Sequence, residues 1–258
     1  MSVSRGTFLK ALGKSIPGMV VGSGAAAAAQ KLLSKMAAAS GTPIAAEQPA
    51  AAAPSSSKTV PKIEFIRHGP AEGNRVALTF DDGPTPGVTD RILDELKQRN
   101  LHATFFMIGQ RIAAAPELAR RVLAEGHEIG NHSYTHPDLT KLPEAEIAAE
   151  IEKTQEIMRD TLNHCARFFR PPYGVFRRNH GSILQQAGLR AILWTVDTAD
   201  WSQPGEDEIV RKILADTAPG AIILCHDMHQ QTANCTGRIL DGLHDRGFVA
   251  STLSGLLG

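Results

Sequence analysis

The sequence has few aromatic residues, few cysteines and no long apolar run, and each deficit excludes a class of protein. Aromatic residues make up 5% of the chain, too few for a surface that stacks on single-stranded nucleic acid. No run of about 18 or more strongly apolar residues occurs, so we expect no membrane span in the mature protein. Three cysteines cannot all pair within one chain. Cys225 and Cys235 could form a disulfide in an oxidising compartment, and three unpaired thiols are the equal alternative.

The formal net charge of zero conceals two regions of opposite sign. Residues 1–58 contain six basic residues and one acid, a charge of +5, and the remaining 200 residues carry 21 basic and 26 acidic residues, a charge of −5. A nucleic-acid-binding protein needs a basic face that replaces the counterions of phosphate. The acidic main body therefore excludes nucleic acid as a partner.

The first 58 residues read as an export signal followed by a linker. Residues 1–29 combine a basic start, a short apolar segment and an alanine run, which predicts a signal peptide. The stretch Ser4–Lys10 resembles a twin-arginine signal in which Gly6 replaces the second arginine. Residues 30–58 are rich in Ala, Pro and Ser, which is typical of a flexible linker. We expect a periplasmic, cell-envelope or extracellular protein with a folded domain at 59–258, and the alternative is a disordered tail with no export role.

Short apolar runs alternate with helical patterns along the rest of the chain. Pro116 and Gly126 bracket one helix, Pro143 opens a longer one, and two more surround Ile209–Leu214 and Ile239–Leu243. This alternation predicts an α/β fold with a distorted or incomplete (β/α) barrel of about seven parallel strands. A doubly wound open sheet is the rival, but no glycine-rich phosphate turn follows the first strand. The predicted strands are Arg75–Phe80, Ala103–Ile108, His127–Asn131, Ala166–Arg170, Ala191–Asp197, Ala221–His226 and Phe248–Leu253.

Polar clusters follow the predicted strands at one end only, which favours an enzyme. In a barrel of this type the active groups sit at the carboxyl ends of the strands. Chance would place acids and histidines at both ends. The clusters are Asp81-Asp82, His132–His136, Pro171–Gly174, Asp197–Trp201 and His226-Asp227.

Two of these clusters suggest a metal site. His132 and His136 are four residues apart and could share a metal on one helical turn. A carboxylate from the Asp81-Asp82 pair would complete three ligands and leave a position open for water. The alternatives are a surface histidine pair and an aspartate that caps the following Gly-Pro turn. His226 and Leu224 share one face of their strand, which makes His226 a candidate proton donor.

Five segments in order resemble the motifs of the polysaccharide deacetylases, which are carbohydrate esterase family 4 and contain the NodB-homology domain. The resemblance runs from about Arg75 to Leu257, nearly the whole folded body. The segments are Thr79–Pro84, His132–His136, Arg170–Gly174, Asp197–Trp201 and Leu224–Asp227.

The resemblance implies a divalent metal and removal of acetyl groups from a polysaccharide. By position in the motifs, Asp82, His132 and His136 match the metal ligands. Asp81 matches the catalytic base and His226 the general acid. Two histidines and a carboxylate suit zinc, with cobalt or nickel as alternatives.

Five further residues match supporting positions of the family. Arg170 matches the residue that pairs with the base, and Asp200 the residue that tunes the acid. Tyr173 matches the position whose backbone N–H stabilises an oxyanion. Trp201 and Leu224 match the walls of the acetyl pocket.

The expected partner is a polysaccharide. An exported enzyme on a tether suits a cell-wall polymer, so we expect a monomeric hydrolase that removes N-acetyl groups from N-acetylglucosamine in peptidoglycan or chitin oligomers. The alternatives are an O-acetyl xylan esterase of the same family and a non-catalytic glycan-binding module.

The export hypothesis gives one testable prediction. The small-residue run ends at Ala29, so the mature protein should begin near Gln30. Amino-terminal sequencing of protein recovered outside the cytoplasm measures this. Soluble cytoplasmic protein that still begins at Met1 would refute export.

Overall fold

Parallel strands form the centre of the computed structural model, which describes residues 63–258. The predicted signal peptide and linker lie outside the described residues. The described part contains nine strands: β1 (Phe65–Ile66), β2 (Arg75–Asp81), β3 (Thr104–Met107), β4 (Glu128–Asn131), β5 (Phe168–Phe169), β6 (Arg190–Ile192), β7 (Val196–Asp197), β8 (Ile222–His226) and β9 (Val249–Ser251).

Helices connect most of these strands, as parallel pairing requires. None of the helices in residues 63–258 has the length and apolar character that crossing a bilayer needs. They are α1 (Thr89–Gln98), α2 (Gly109–Ala114), α3 (Pro116–Ala124), α4 (Glu144–Leu162), α5 (Gly181–Gln186), α6 (Glu206–Asp216), α7 (Gln230–Asp245) and α8 (Leu253–Leu257).

The strands form one curled sheet in the order β1-β6-β5-β4-β3-β2-β8-β7, with β9 paired to β2. Every ladder between these strands is parallel. The predicted α/β class and the incomplete barrel are therefore confirmed. Because all strands run the same way, their carboxyl ends meet at one face, where the polar clusters lie.

One predicted strand, Ala191–Asp197, is wrong as a single element. Its first part is β6, near one end of the sheet order, and its second part is β7, at the other end. Between them, the N–H of Leu193 donates to Ile66 and the N–H of Thr195 donates to Ile222. A straight strand cannot pair at both ends of a sheet, so the chain bends here and links the two ends. The sheet consequently has nine strands rather than about seven, with the two-residue β1 also unpredicted.

The predicted helices around Pro116, Pro143, Ile209 and Ile239 are confirmed. Pro116 is the first residue of α3, where its missing N–H has no helical partner to lose. Gly126 follows that helix with φ +84°, a conformation that glycine adopts without strain. The longer helix after Pro143 ends at Asn163 in the left-handed region.

Side chains alternate between two apolar layers along the central strands. On β2, Leu78 and Phe80 join the large core under the helices, and Ala77 faces the barrel interior. The interior cluster includes Phe106 and Phe168 and is closed by Leu253 and Leu256 of the last helix. A helix thus plugs the amino-terminal end of the barrel, and only the carboxyl-terminal end is open for a site.

All three cysteines are free thiols in the structure. Of the two alternatives, a Cys225–Cys235 disulfide and three unpaired thiols, the structure has the second. Cys165 is exposed, and Cys225 and Cys235 are buried. Burial raises the pKa of the Cys235 thiol to about 12, so its reactive thiolate is scarce at neutral pH.

The interior packing predicts that Gly130→Ala destabilises the protein. A Cβ at Gly130 of β4 would lie 2.4 Å from the Phe106 ring, and overpacking of this kind costs about 1–3 kcal/mol. Urea unfolding should show this loss in the free energy of unfolding. The control is Gly255→Ala at an exposed position of α8, where the added Cβ would meet its nearest neighbour at 3.3 Å. Equal stability of the Gly130 variant and the wild type would contradict the packing account.

Candidate active site

A cleft of about 500 Å³ opens at the carboxyl ends of the strands. Eight of the ten sequence-predicted site residues line it, and the other two, Arg170 and Asp200, are fully buried behind it. The lining residues are Asp81, Asp82, His132, His136, Pro171, Tyr173, Gly174, Trp194, Asp197, Trp201, Leu224 and His226, with Arg170 next to Pro171 beneath the surface.

Asp81 and Arg170 form a buried ion pair below the cleft. Nη1 of Arg170 donates to Oδ1 of Asp81 at 2.6 Å and to Oγ1 of Thr79 at 2.8 Å. Nη2 donates to the carbonyl of Leu193, and the guanidinium lies 4.2 Å above the Phe106 ring. Burial lowers the pKa of Arg170, and the charge of Asp81 opposes that effect. Since a guanidinium stays protonated in proteins, the pair holds Asp81 in a defined orientation.

Asp82, His132 and His136 converge on one point. One ligand atom from each lies within 4.8 Å of the others. Nε2 of His132 is 3.4 Å and Nε2 of His136 is 3.2 Å from Oδ1 of Asp82. That oxygen is buried and accepts no well-aligned hydrogen bond within the described residues, which is costly without a partner.

The arrangement fits a tetrahedral metal ion. Two ligand atoms at zinc distance in a tetrahedron lie about 3.4 Å apart, close to the separations observed here. Nδ1 of His132 lies 2.7 Å from the carbonyl oxygen of Arg170. A carbonyl only accepts, so Nδ1 carries the proton and the Nε2 lone pair faces the cluster, as in metal-binding histidines.

The charges in this cluster shift its pKa values in different directions. Burial raises the pKa of Asp82, but His132 and His136 outweigh it and leave that pKa well below its usual range. Burial lowers the pKa of His132, and the charges of Asp81 and Asp82 reverse this and raise it. The pKa of His136 is lowered by burial and by the neighbouring His132.

The expected helical turn between His132 and His136 is wrong. Ser133 has φ 64° and His136 has φ 61°, which a right-handed helix excludes. Asn131 accepts from the N–H of Ser133, and Glu150 of α4 accepts from the N–H groups of Tyr134 and Thr135. These acceptors hold a loop after β4, and neither was predicted because both act on backbone groups.

His226 and Asp200 form a second buried pair, in which the carboxylate lies behind the cleft and the basic side chain lines it. Nδ1 of His226 lies 2.6 Å from Oδ1 of Asp200. Oδ2 of Asp200 accepts from the His226 N–H at 2.8 Å and from Oγ1 of Thr232 at 2.6 Å. Burial lowers the pKa of His226, but the hydrogen bond and charge of Asp200 dominate and raise it to about 9. His226 is therefore an imidazolium at neutral pH, with Nε2 left to meet a substrate.

Strand register places the two pairs side by side. Asp81 of β2 pairs with His226 of β8, and neighbouring strands lie about 4.8 Å apart. Asp227 does not enter the cleft, unlike its expected cluster partner His226. It is fully buried, accepts from Thr89 at 2.6 Å, and burial raises its pKa to about 7. Gly83 is required beside it, because a Cβ there would lie 2.0 Å from the Asp227 carboxylate.

The walls of the cleft are apolar and partly open. Tyr173 is 66% exposed and Trp201 is 60% exposed, and Leu224 is buried behind them. Tyr173 has φ 59°, and its ring packs against His136 with centroids 4.7 Å apart. Trp194 was not predicted; its ring approaches Gly174 so closely that a Cβ there would lie 2.6 Å away.

Comparison with known proteins points to one family. Residues 68–192 match the family model described as polysaccharide deacetylase. The chain is 37% identical over 209 residues to a chitooligosaccharide deacetylase of Sinorhizobium fredii, which covers 74% of this chain and 97% of that protein. It is 39% identical over 205 residues to a peptidoglycan-N-acetylglucosamine deacetylase of Listeria monocytogenes, covering 80% of this chain. The match spans 42% of the Listeria protein's length.

Solved structures of the same family include an inactive relative. A pseudoenzyme of the CE4 family from Bacillus anthracis superposes with a TM-score of 0.72 at 31% identity, covering 76% of this chain and 69% of that one. The fold alone therefore does not establish catalysis, and the side chains of the cleft must carry that argument.

The Asp200–His226 pair predicts a titration that can be measured. In metal-free protein, the His226 ring should titrate near pH 9. Asp200→Asn should lower that pKa to about the ordinary 6.5 or below, because it removes the carboxylate charge that opposes the effect of burial. NMR of the imidazole signals checks this, with Asp245→Asn on the exposed end of α7 as control. A His226 pKa that does not respond to Asp200→Asn would contradict the pairing.

The same shift has a consequence for stability. The unfolded imidazole titrates near 6.5 and the folded one near 9, so the pair's stabilisation is complete below about pH 6.5 and is lost as pH rises through about 9.

Proposed function

The chain belongs to the polysaccharide deacetylase family, and we propose that it is a metal-dependent hydrolase that removes N-acetyl groups from N-acetylglucosamine polymers such as peptidoglycan or chitin oligomers. The observation that carries the proposal is the side-by-side placement of a carboxylate paired with an arginine and a histidine paired with a carboxylate, next to a three-ligand cluster. Amide hydrolysis needs these parts: a base for water, an acid for the leaving nitrogen and an electrophile for the carbonyl.

Asp81 is the proposed base. Its Oδ1 accepts from Arg170 at 2.6 Å, which fixes the orientation of the carboxylate. Oδ2 points toward the cluster, 3.7 Å from Nε2 of His132. Asp81 thus holds an acceptor oxygen where a water molecule between the cluster and the acetyl carbon would lie.

His226 is the proposed acid. The Asp200 carboxylate keeps its ring protonated and commits Nδ1. Nε2 can therefore give a proton to the departing nitrogen, which leaves as a neutral amine rather than an amide anion. Burial of Asp200 behind the cleft prevents water from weakening this pair.

Asp82, His132 and His136 would hold one divalent ion, with zinc favoured by the donor set and cobalt or nickel as alternatives. Such an ion supplies Lewis-acid activation of water and polarises the acetyl carbonyl. Tyr173 lines the cleft and has a left-handed backbone, and we assign its N–H as a donor to the acetyl carbonyl oxygen as negative charge develops there. Leu224 and Trp201 would enclose the acetyl methyl group.

The substrate and location are part of the proposal. The relatives are named for peptidoglycan and chitooligosaccharide deacetylation, which supports an N-acetylglucosamine polymer, and such polymers lie outside the cytoplasm, which suits the predicted export signal. An O-acetyl xylan esterase or a non-catalytic glycan-binding module would be the alternatives. The complete set of proposed catalytic side chains in one cleft supports an active enzyme.

Acetate release from an N-acetylglucosamine oligomer and from acetylated xylan, each with added zinc, tests the function. We expect release from the oligomer to exceed release from xylan. Release from xylan alone would support the esterase, and no release from either would support the glycan-binding module.

The three-ligand cluster predicts linked losses of metal and activity. Replacement of Asp82, His132 or His136 by Ala should lower the metal content of the folded protein and abolish deacetylation, because two ligands hold an ion poorly. Metal analysis of each purified variant measures this. The histidine control is His229→Ala, which removes a ring 6.2 Å from that of His226 and outside the three-ligand cluster. Full metal retention in His136→Ala would contradict the cluster.

The acid and base predict different substrate dependence. Asp81→Asn and His226→Ala should both retain metal and lose about 10²- to 10⁴-fold in kcat on an oligomer. An activated acetyl ester has a leaving group that needs little protonation, so His226→Ala should impair ester hydrolysis far less. Asp81→Asn should impair both reactions alike. Equal losses of His226→Ala on both substrates would mean that another group donates the proton.

A further inference from the structure

Asp197 is a cleft carboxylate that the proposed mechanism does not use. It ends β7 and lines the cleft. In the parallel ladder it is in register with Leu224 of β8, and residues in register on neighbouring parallel strands point to the same face. The Asp197 side chain therefore lies beside the Leu224 wall and faces the same space as His226.

Only one oxygen of Asp197 has a protein partner in residues 63–258. Oδ1 accepts from the N–H of Ala199 at 2.9 Å, which supports the left-handed backbone of Ala199 (φ 54°) just before Asp200. No protein donor within this range bonds to Oδ2. In contrast, Asp81, Asp82 and Asp200 each lie within ion-pair distance of an arginine or a histidine. Asp197 thus offers an uncommitted acceptor to a ligand in the cleft.

The position of the acid indicates what reaches that acceptor. His226 can protonate the leaving nitrogen only if the sugar that carries it lies near β8. In the sheet order, β7 lies next to β8 on the side away from β4 and from the histidines of the loop that follows β4. The leaving sugar ring consequently lies near Asp197, and that ring carries hydroxyl groups, which donate strong hydrogen bonds to carboxylates.

Resting on the proposed function, we propose that Asp197 is a specificity-determining residue that accepts a hydrogen bond from a hydroxyl of the sugar whose acetamido group is hydrolysed. The class of ligand is a pyranose with a free hydroxyl beside the reacting position. The role is recognition, with no proton transfer assigned to Asp197.

The experiment compares the wild type with Asp197→Asn, which keeps an oxygen for the Ala199 N–H and replaces the second carboxylate oxygen by an amide donor. On an N-acetylglucosamine tetramer, Asp197→Asn should lower kcat/KM about 10- to 100-fold, chiefly by raising KM. A loss of this size is expected when one hydrogen bond to a charged group is removed. The ratio of kcat/KM on the tetramer to that on an aryl acetate without a sugar should fall by the same factor. Asp216→Asn at the exposed end of α6 is the matched control.

Deoxy substrates identify the hydroxyl. Tetramers lacking the 3-hydroxyl or the 6-hydroxyl at the reacting unit should show that one of the two removals costs the wild type about as much as Asp197→Asn does. The same removal should cost Asp197→Asn little more. Additive losses for both analogues, or equal losses on the tetramer and the aryl acetate, would overturn the inference.

A second variant separates recognition from the turn. Ala199→Gly relieves the need for the Asp197 cap, since glycine adopts positive φ without strain. If the double variant Asp197→Asn/Ala199→Gly recovers wild-type kcat/KM, Asp197 acts only through the turn and the inference is wrong. Failure of the wild type to release acetate from any tetramer would instead overturn the proposed function.

Discussion

The burial of one arginine is the constraint on which the cleft depends. Arg170 is fully buried and is the largest side chain with almost no exposure in the described chain. A buried charge is strongly destabilising unless it is paired and hydrogen-bonded. Here Asp81, Thr79 and the Leu193 carbonyl accept from the two Nη groups while Phe106 covers one face, and Nε has no acceptor within the described residues. The backbone carbonyl of the same residue orients His132. One residue thus ties the base, a metal-ligand candidate and the bend between β6 and β7 together.

The two ion pairs around the cleft separate acid from base by environment. In the first pair the buried cation is the guanidinium of Arg170, which stays protonated in proteins and orients the Asp81 carboxylate. In the second pair the buried anion is Asp200, whose pKa burial raises but His226 and Thr232 lower on balance, and the imidazole is the group kept charged. Asp81 and His226 are in register on neighbouring strands, so one backbone ladder sets the distance between the proposed proton acceptor and proton donor.

The sequence predicted the parts of this site that follow simple periodicity. β2 and β8 are short apolar runs that end in polar residues, so their ends, and hence Asp81 and His226, could be placed at one face of a parallel sheet. The bend at Leu193–Thr195 could not be predicted, because the apolar run continues through these residues. Only the curling of the sheet, which brings β6 and β7 to its two ends, requires the chain to bend there. The loop after His132 depends on Asn131 and Glu150 accepting backbone N–H groups. Asp227 was grouped with His226 by sequence position alone, whereas neighbouring side chains at a strand end point to opposite faces, and Asp227 is buried against Thr89.

The pH dependence of kcat/KM on an N-acetylglucosamine oligomer, measured for the wild type and Asp200→Asn with the same metal, tests the central claim most directly. The account predicts that the basic limb of the wild type, where His226 loses its proton, lies above the ordinary imidazole pKa of about 6.5 because Asp200 raises the pKa of His226. In Asp200→Asn that limb should move toward pH 6.5 or below, with activity reduced at neutral pH. A basic limb at the same pH in both proteins would show that the Asp200–His226 pair does not supply the proton.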